Sequence, residues 1–164
     1  MVERLNAPLV QLVTLALWIG AGAFFSFAVA PALFATLPSR TMAGAVVGRT
    51  LPILFYLGIV VGAIIVALQA GSGRGALRDV RALCGCLIVA ACAVAQFVIG
   101  HRIDRLRSDI GGSIESLAVD DARRVAFGRL HGMSVAWLGL AMLAGLVALV
   151  AAWRANASAV AGNH

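Results

Sequence analysis

Four long apolar runs, separated by short polar segments, constrain the fold of this chain more than any other feature of its sequence. They cover residues 9–37, 51–70, 82–100 and 130–153. About 20 consecutive apolar residues are enough for an α-helix to cross the hydrocarbon core of a bilayer. Because each run is close to that length or longer, the sequence predicts four membrane-spanning helices in a single domain over residues 1–154.

The composition supports a membrane fold over a soluble one. Hydrophobic residues make up 62% of the 164 residues and charged residues 12%, whereas soluble domains average roughly 45–50% and 25%. A domain of this size has too much surface to hide such an apolar excess from water. The predicted fold class is therefore all-α, an integral membrane four-helix bundle with the lipid bilayer as its first partner.

The basic charge of the chain also has a membrane explanation. The formal net charge is +6, and all 13 basic residues are arginines. They lie mainly between the apolar runs, so we interpret them as membrane-surface residues and expect no nucleic-acid partner. Lysine is absent while Ala, Gly, Val and Arg are abundant, which is typical of a GC-rich bacterial genome. We therefore expect a multi-pass protein of a bacterial inner membrane.

The segments around the runs carry further predictions. Pro31 lies inside the first run, so that helix is predicted to kink or break there. Residues 38–50 are predicted to form a short interfacial helix, and residues 71–81 a basic linker. The long polar stretch over residues 101–129 is predicted to form two short charged helices, and residues 155–164 a disordered tail.

Small and polar side chains recur on one face of each predicted span, at helical spacing. One interpretation is helix packing, in which the G-x-x-x-G pair of Gly58 and Gly62 lets two backbones approach closely. The other is a shared polar pocket near His131, because polar groups within spans are often functional. The candidate pocket residues are His131, Ser134, Arg129, Trp18, Arg49 and Gln96.

His131 is the only ionisable residue of the fourth run. A neutral imidazole is a common metal ligand and can relay protons. His131 is therefore the candidate metal ligand, with Met133 or Met142 as further ligands, although a lone His near a helix end is more often a hydrogen-bonding residue. His101 is disfavoured as a second ligand. Cys92 lies on the face of the third span that is predicted to point into the bundle, and helical spacing places His101 on the opposite face.

Enzyme motifs are missing from the sequence. It contains no P-loop, no G-x-S-x-G, no H-E-x-x-H and no pair of carboxylates within a span. We therefore expect no enzyme, name no catalytic residue, and leave the cofactor unknown. The lack of an acidic residue in any span also disfavours a proton pump of the carboxylate kind.

Two sets of residues carry a family resemblance: Trp18, Gly20, Phe27, Leu33, Phe34, Leu37, Pro38, Ala43, Gly44, Val47, Gly48, Arg49 and Pro52, then Phe127, Arg129, His131, Gly132 and Ser134. Through their order and spacing, the chain from about Gln11 to Val150 resembles the transmembrane protein 205-like family. The second set matches an F-x-R-x-H-G-x-S pattern of that family. The resemblance implies a four-helix multi-pass membrane protein. The family's association with tolerance to metal-based drugs implies handling of metal or cationic compounds.

Three functional hypotheses follow. The first is a small transport or accessory subunit that works as a homo-oligomer or with a membrane-protein partner, using Gly58 and Gly62 as the contact face. The second is a metal- or haem-binding membrane protein centred on His131. The third is a structural lipid-binding subunit, in which Arg40, Arg49 and Arg129 hold anionic headgroups.

Overall fold

The computed structural model describes residues 2–70 and 75–161 of the chain, with side chains described over 7–70 and 75–158. Within these residues, four helical rods are long and apolar enough to cross a membrane. We name them α1 to α4 in chain order. Together they confirm the prediction of an all-α four-helix bundle, and the chain is a multi-pass membrane protein.

Helix α1 is made of three continuous segments, Val2–Phe24, Phe25–Val29 and Ala30–Thr36. The middle segment is a π-helix, in which the Ala30 N–H donates to the Phe25 carbonyl. Pro31 follows directly, and its ring nitrogen has no hydrogen to donate to the preceding turn. The kink or break predicted at Pro31 is therefore found as a π-helical segment inside one continuous helix.

Helix α2 runs from Arg40 to Ala70 without interruption. The separate interfacial helix predicted over residues 38–50 is therefore wrong, because most of this segment forms the first turns of α2. Ala43 and Val47 are buried and attach these turns to the bundle. Extending an existing helix also costs less than nucleating a new one.

Helix α3 covers Ala76–Ile110. It consists of Ala76–Ala93, a π-helical segment Val94–Gly100 and His101–Ile110. The linker predicted over residues 71–81 is thus shorter, since α3 begins at Ala76; residues 71–74 lie outside the described residues.

Helix α4 covers Ala122–Ala161. The two short charged helices predicted over residues 101–129 are extensions of α3 and α4. Between them, Gly111 ends α3 with a φ of 64°, a conformation that favours glycine. Residues 155–161, predicted as part of a disordered tail, continue α4; this stretch is rich in alanine, which favours helix. The rest of that tail lies outside the described residues.

The bundle packs α3 against α2 and α4, and α1 against α4 and α2. Its core uses small residues where helices are closest, which lets backbones approach in the absence of a strong hydrophobic drive. The larger buried side chains include Leu15, Trp18, Phe55, Ile65, Ile88 and Leu138, and the smaller ones Ala91, Cys92, Ala141, Ala144 and Ala148.

The two ends of the bundle differ. At one end, the loop between α3 and α4 contacts the start of α2, where the Thr41 and Ser113 hydroxyl oxygens are 2.7 Å apart. We call this the loop end. At the other end, which we call the terminal end, Arg81 Nη1 donates to Gln11 Oε1 at 3.0 Å. A hydrogen bond between side chains therefore links two separate segments at each end.

Candidate functional site

A cavity of about 510 Å³ opens at the loop end of the bundle. Its volume lies in the range of pockets that hold one small ligand, roughly 300–1,000 Å³. Its walls are the first turns of α2, the π-helical segment and last turns of α3, the first turns of α4 and the loop between α3 and α4. Phe34 of α1 completes the lining.

Four glycines, which carry no side chain, help to create this space. Gly44 and Gly48 on α2, Gly100 on α3 and Gly128 on α4 all line the cavity. A Cβ atom on Gly48 would lie 2.7 Å from Arg107 Nη1, so a side chain there would displace the guanidinium. The π-helical segment Val94–Gly100 forms another part of the wall, and such segments are frequent at functional sites.

The deep end of the cavity is apolar with a few polar groups. Val47, Phe55 and Ala95 line it and are buried in the bundle core. Ser134 is also buried, with 4% of its surface exposed, and it lines the same space. The lining of the cavity therefore becomes more buried and more apolar from the opening towards Ser134.

Three side chains form a stack along one wall. The Arg107 guanidinium carbon lies 5.4 Å from the centre of the Phe127 ring, a cation–π contact. Phe127 in turn stacks on His131, with ring centres 6.3 Å apart and planes 4° apart. Arg107 also donates from Nη2 to the Gly44 carbonyl at 3.2 Å. This stack joins α2, α3 and α4 around one cationic group.

The charged groups at the cavity are unevenly balanced. Arg40, Arg107 and Arg124 line it, against Asp104 and Glu115. Within the described part of the chain, the salt bridges are Arg78 with Asp79 and Arg123 with Asp121, so none involves a lining residue. The excess of cationic groups makes the cavity attractive to anions.

The structure brings together three of the predicted pocket residues. His131, Ser134 and Gln96 all line the cavity. Arg49 and Arg129 are exposed and do not belong to its lining. Helical spacing placed the first three on inward faces, whereas the two arginines fall on outward ones.

Trp18, the remaining predicted pocket residue, lies below the cavity in the packed core. Its indole Nε1 donates to the Leu54 carbonyl at 3.0 Å, and 4% of its surface is exposed. A Cβ atom on Gly145 would lie 3.3 Å from its ring. Trp18 therefore packs α1 against α2 and α4 and does not touch the cavity.

Gly58 and Gly62 lie inside the chain, between its own helices. A Cβ atom on Gly58 would lie 2.5 Å from Cys92 Sγ, and one on Gly62 would lie 2.8 Å from the Gly85 carbonyl oxygen. Both glycines are buried. The prediction that they form a contact face between copies is therefore wrong, because α3 already covers that face.

The further metal ligands considered for His131 are elsewhere. Met133 is 48% exposed on the outside of the bundle, and Met142 packs at Gly22. Neither lines the cavity, and His101 does not line it either. Among the described residues, no group of three or more His, Cys, Asp and Glu side chains lies close enough to hold a metal ion together.

Arg107 and Phe127 are the site residues that sequence reasoning missed. Arg107 lies in the polar stretch over residues 101–129, where hydropathy falls, and is therefore not among the candidate pocket residues. Gly100, Asp104 and Arg107 nevertheless recur at the spacing of one helix face, and all three line the cavity. A helix continued through residues 101–110 would have placed Arg107 on the inward face.

Comparisons with known proteins place the chain in a family. A protein of Aquifex aeolicus (strain VF5) named "Uncharacterized protein" is 46% identical over 63 residues, which is 38% of this chain and 47% of that relative. The chain thus matches about half the length of that relative. No solved structure matches the chain. The model of the domain of unknown function DUF4149 matches residues 13–111, more than half of the chain, so this protein belongs to the DUF4149 family.

Proposed function

We propose that this multi-pass membrane protein is a small transport or accessory subunit that binds a small ligand in the loop-end cavity. The observation that carries the proposal is the cavity of about 510 Å³, with an apolar floor and a few converging polar groups. Ligand sites in proteins have this character. The polar groups are Arg107, His131, Gln96 and Ser134.

The packing below the cavity favours an accessory role or an oligomer over a pore through one chain. Trp18, Gly58 and Cys92 form a close-packed layer beneath the floor. A single copy therefore offers a pocket open at the loop end. Transport would then involve further copies or a membrane-protein partner, through a face other than Gly58 and Gly62.

We assign the cavity to binding rather than catalysis. Nucleophilic catalysis needs a nucleophile within hydrogen-bond reach of a base. Within the described residues, no hydrogen bond joins the Ser134 hydroxyl to His131. The charged groups near them, Arg107 above all, are better suited to holding a ligand in place.

The resemblance to the transmembrane protein 205-like family supports a ligand-handling role. Phe127, His131 and Ser134, which carry part of that resemblance, lie along the cavity wall. The association of that family with metal-based drugs extends the proposal to metal or cationic compounds. The proposed location is a bacterial inner membrane, and the bacterial relative supports the bacterial part of this proposal.

A second candidate function is metal or haem binding at His131, which has an exposed imidazole at the cavity. An optical spectrum and metal analysis of the detergent-purified protein test it. A near-stoichiometric metal or a Soret band that disappears in His131→Ala would favour this candidate. A clean spectrum without metal would exclude it and leave His131 as a polar wall residue.

Two neighbouring substitutions test the cavity as a binding site. Ala45 lines the cavity, whereas Val46 is 42% exposed and does not line it. Ala45→Phe should fill the space, and Val46→Phe adds the same ring to the outer surface as a control. Native mass spectrometry of the purified protein with dodecylphosphate and, separately, with dodecyltrimethylammonium should show, for at least one of the two, a saturable adduct of one per chain that Ala45→Phe abolishes and Val46→Phe keeps. Equal binding by both variants would refute the proposal.

A further inference from the structure

We infer that the loop-end cavity takes a single-chain anionic amphiphile, with Arg107 binding its carboxylate or phosphate headgroup and the apolar floor holding its chain. This inference rests on the proposed function, because it names the ligand class of the same cavity. It adds a specific anion-binding residue and a direction for the ligand.

Among the described residues, the charge of Arg107 has no anionic partner. Arg107 is half-buried, its Nη2 donates to the Gly44 carbonyl, and its face lies over Phe127. No carboxylate of the described residues lies within 4.0 Å of it. A charge removed from water is costly unless it is paired. A ligand anion would supply the missing partner.

The remaining donors of Arg107 suit a carboxylate or a phosphate. A guanidinium carries five N–H donors in a planar fork, and one hydrogen bond from it is described, the one to Gly44. Two parallel N–H groups can therefore grip one anion in a bidentate manner. A lysine at this position would offer a point charge without that geometry.

Glycines on α2 make room for this guanidinium. A Cβ atom on Gly48 would lie 2.7 Å from Nη1, and one on Gly44 would lie 3.5 Å from Nη2. Larger residues would therefore push the guanidinium away from α2. The two glycines thus let Arg107 pack against α2 and hold its charge at the cavity wall.

The charge distribution favours an anion over a cation. Arg40 and Arg124 add positive charge to the cavity, so with Arg107 three arginines line it against two carboxylates, Asp104 and Glu115. Glu115 accepts a hydrogen bond from Thr41 at 3.5 Å, at the contact between the loop and α2. A cation near His131 would meet Arg107 across the Phe127 ring. That repulsion would weaken binding of a cationic compound.

The polarity gradient supplies the direction of the ligand. The arginines lie towards the loop end, and Val47, Phe55 and Ala95 form a buried apolar floor. A headgroup at Arg107 and a chain over this floor satisfy both regions. A volume of about 510 Å³ is of the size that holds one small ligand.

Three probes with the same chain test the class of ligand: dodecanoate, dodecylphosphate and dodecyltrimethylammonium. Native mass spectrometry of the full chain gives the affinity of each. The two anions should bind at least about tenfold more tightly than the ammonium, the scale expected for a charge-assisted hydrogen-bonded pair. The comparison of dodecanoate with dodecylphosphate separates a carboxylate from a phosphate headgroup. Equal or tighter binding of the ammonium would overturn the inference.

Substitutions at Arg107 locate the headgroup. Arg107→Gln should weaken binding of both anions about tenfold and should not weaken binding of the ammonium, because the substitution removes a repulsive charge. The matched control is Arg105→Gln, which removes an exposed arginine of the same helix that does not line the cavity; it should have no effect. Arg107→Lys keeps the charge and should retain part of the preference for anions, which covers the case in which Arg107→Gln does not fold. Unchanged anion binding in a folded Arg107→Gln variant would refute the inference.

The Ala45→Phe variant separates this inference from the proposed function. If Ala45→Phe blocks every probe but Arg107→Gln changes nothing, the cavity binds ligands and the anionic class is wrong. If Ala45→Phe blocks no probe, the cavity is not the binding site and both fail.

Discussion

Gly62→Ala tests how closely α2 and α3 approach. The added Cβ atom would lie 2.8 Å from the Gly85 carbonyl oxygen and 3.1 Å from the Val89 backbone nitrogen. Both atoms belong to the backbone of α3, so they cannot move aside like the end of a flexible side chain. Gly85 repeats the contact in the opposite direction, since its own Cβ atom would lie 3.0 Å from the Gly62 carbonyl oxygen.

The expected loss can be set against a matched glycine. Gly139 lies within α4, and a Cβ atom there would meet nothing within 4 Å. Replacing a helical glycine by alanine stabilises by up to about 1 kcal/mol where there is space. Overpacking a tight contact costs about 1–3 kcal/mol. Because the helix gain applies to both substitutions, the free energy of unfolding of Gly62→Ala should be lower than that of Gly139→Ala by the overpacking cost, about 1–3 kcal/mol.

Reversible unfolding in mixed detergent micelles, followed by circular dichroism, measures both free energies. Crosslinking of the same samples reports on assembly. We expect Gly62→Ala to lose stability without a specific loss of oligomer. Equal stability of Gly62→Ala and Gly139→Ala would refute the close α2–α3 contact. A stable Gly62→Ala variant that has lost its oligomer would instead support the prediction that Gly62 lies in a contact face between copies.

Two further predictions concern Trp18 and Asp121. Trp18→Phe removes the hydrogen bond to the Leu54 carbonyl and should cost about 1 kcal/mol in the same unfolding assay, whereas Trp153→Phe, at a 62% exposed site, should cost little. Asp121 caps α4 by accepting from the Arg123 N–H at 2.8 Å, and its hydrogen bond to the Arg123 side chain lowers the pKa of Asp121 to about 2. Since this pKa is depressed, the stabilisation is fully present above the ordinary aspartate pKa of about 3.9 and is lost as the pH falls through about 2. Asp121→Ala should flatten this part of the stability profile measured by circular dichroism between pH 5 and pH 2, and an unchanged profile would contradict the cap.

The apolar runs predicted the spans because lipid allows few alternatives to a helix in which every backbone group is bonded. The same rule could not predict where the helices end. Arg49 and Arg107 interrupt the hydropathy pattern, but the backbone continues through both as α-helix. Helix extension is favourable without an apolar side chain at every position, so charge marks the membrane boundary and not the end of the helix.

The site was predictable where its residues lie within the apolar runs. Gln96, His131 and Ser134 followed from helical spacing, and all three line the cavity. Arg107 and Phe127 lie beyond the third run and before the fourth, in the polar stretch predicted to form two short charged helices. The π-helical segment Val94–Gly100 has no sequence signal of its own, because one extra residue in a helix leaves the composition unchanged.

The layer beneath the cavity decides what kind of subunit one copy of the chain can be. Trp18 fills the space beside Gly58. Cys92 of α3 has no exposed surface and packs against the same glycine. Opening this layer would break the Trp18 hydrogen bond and separate helices whose backbones are in contact at Gly62 and Gly85. A ligand at Arg107 would make no contact with this layer, and a ligand can shift an equilibrium only through its differential affinity for the two states. Ligand binding at the loop end therefore favours a subunit that holds or presents its ligand to a partner over one that conducts it through its own bundle.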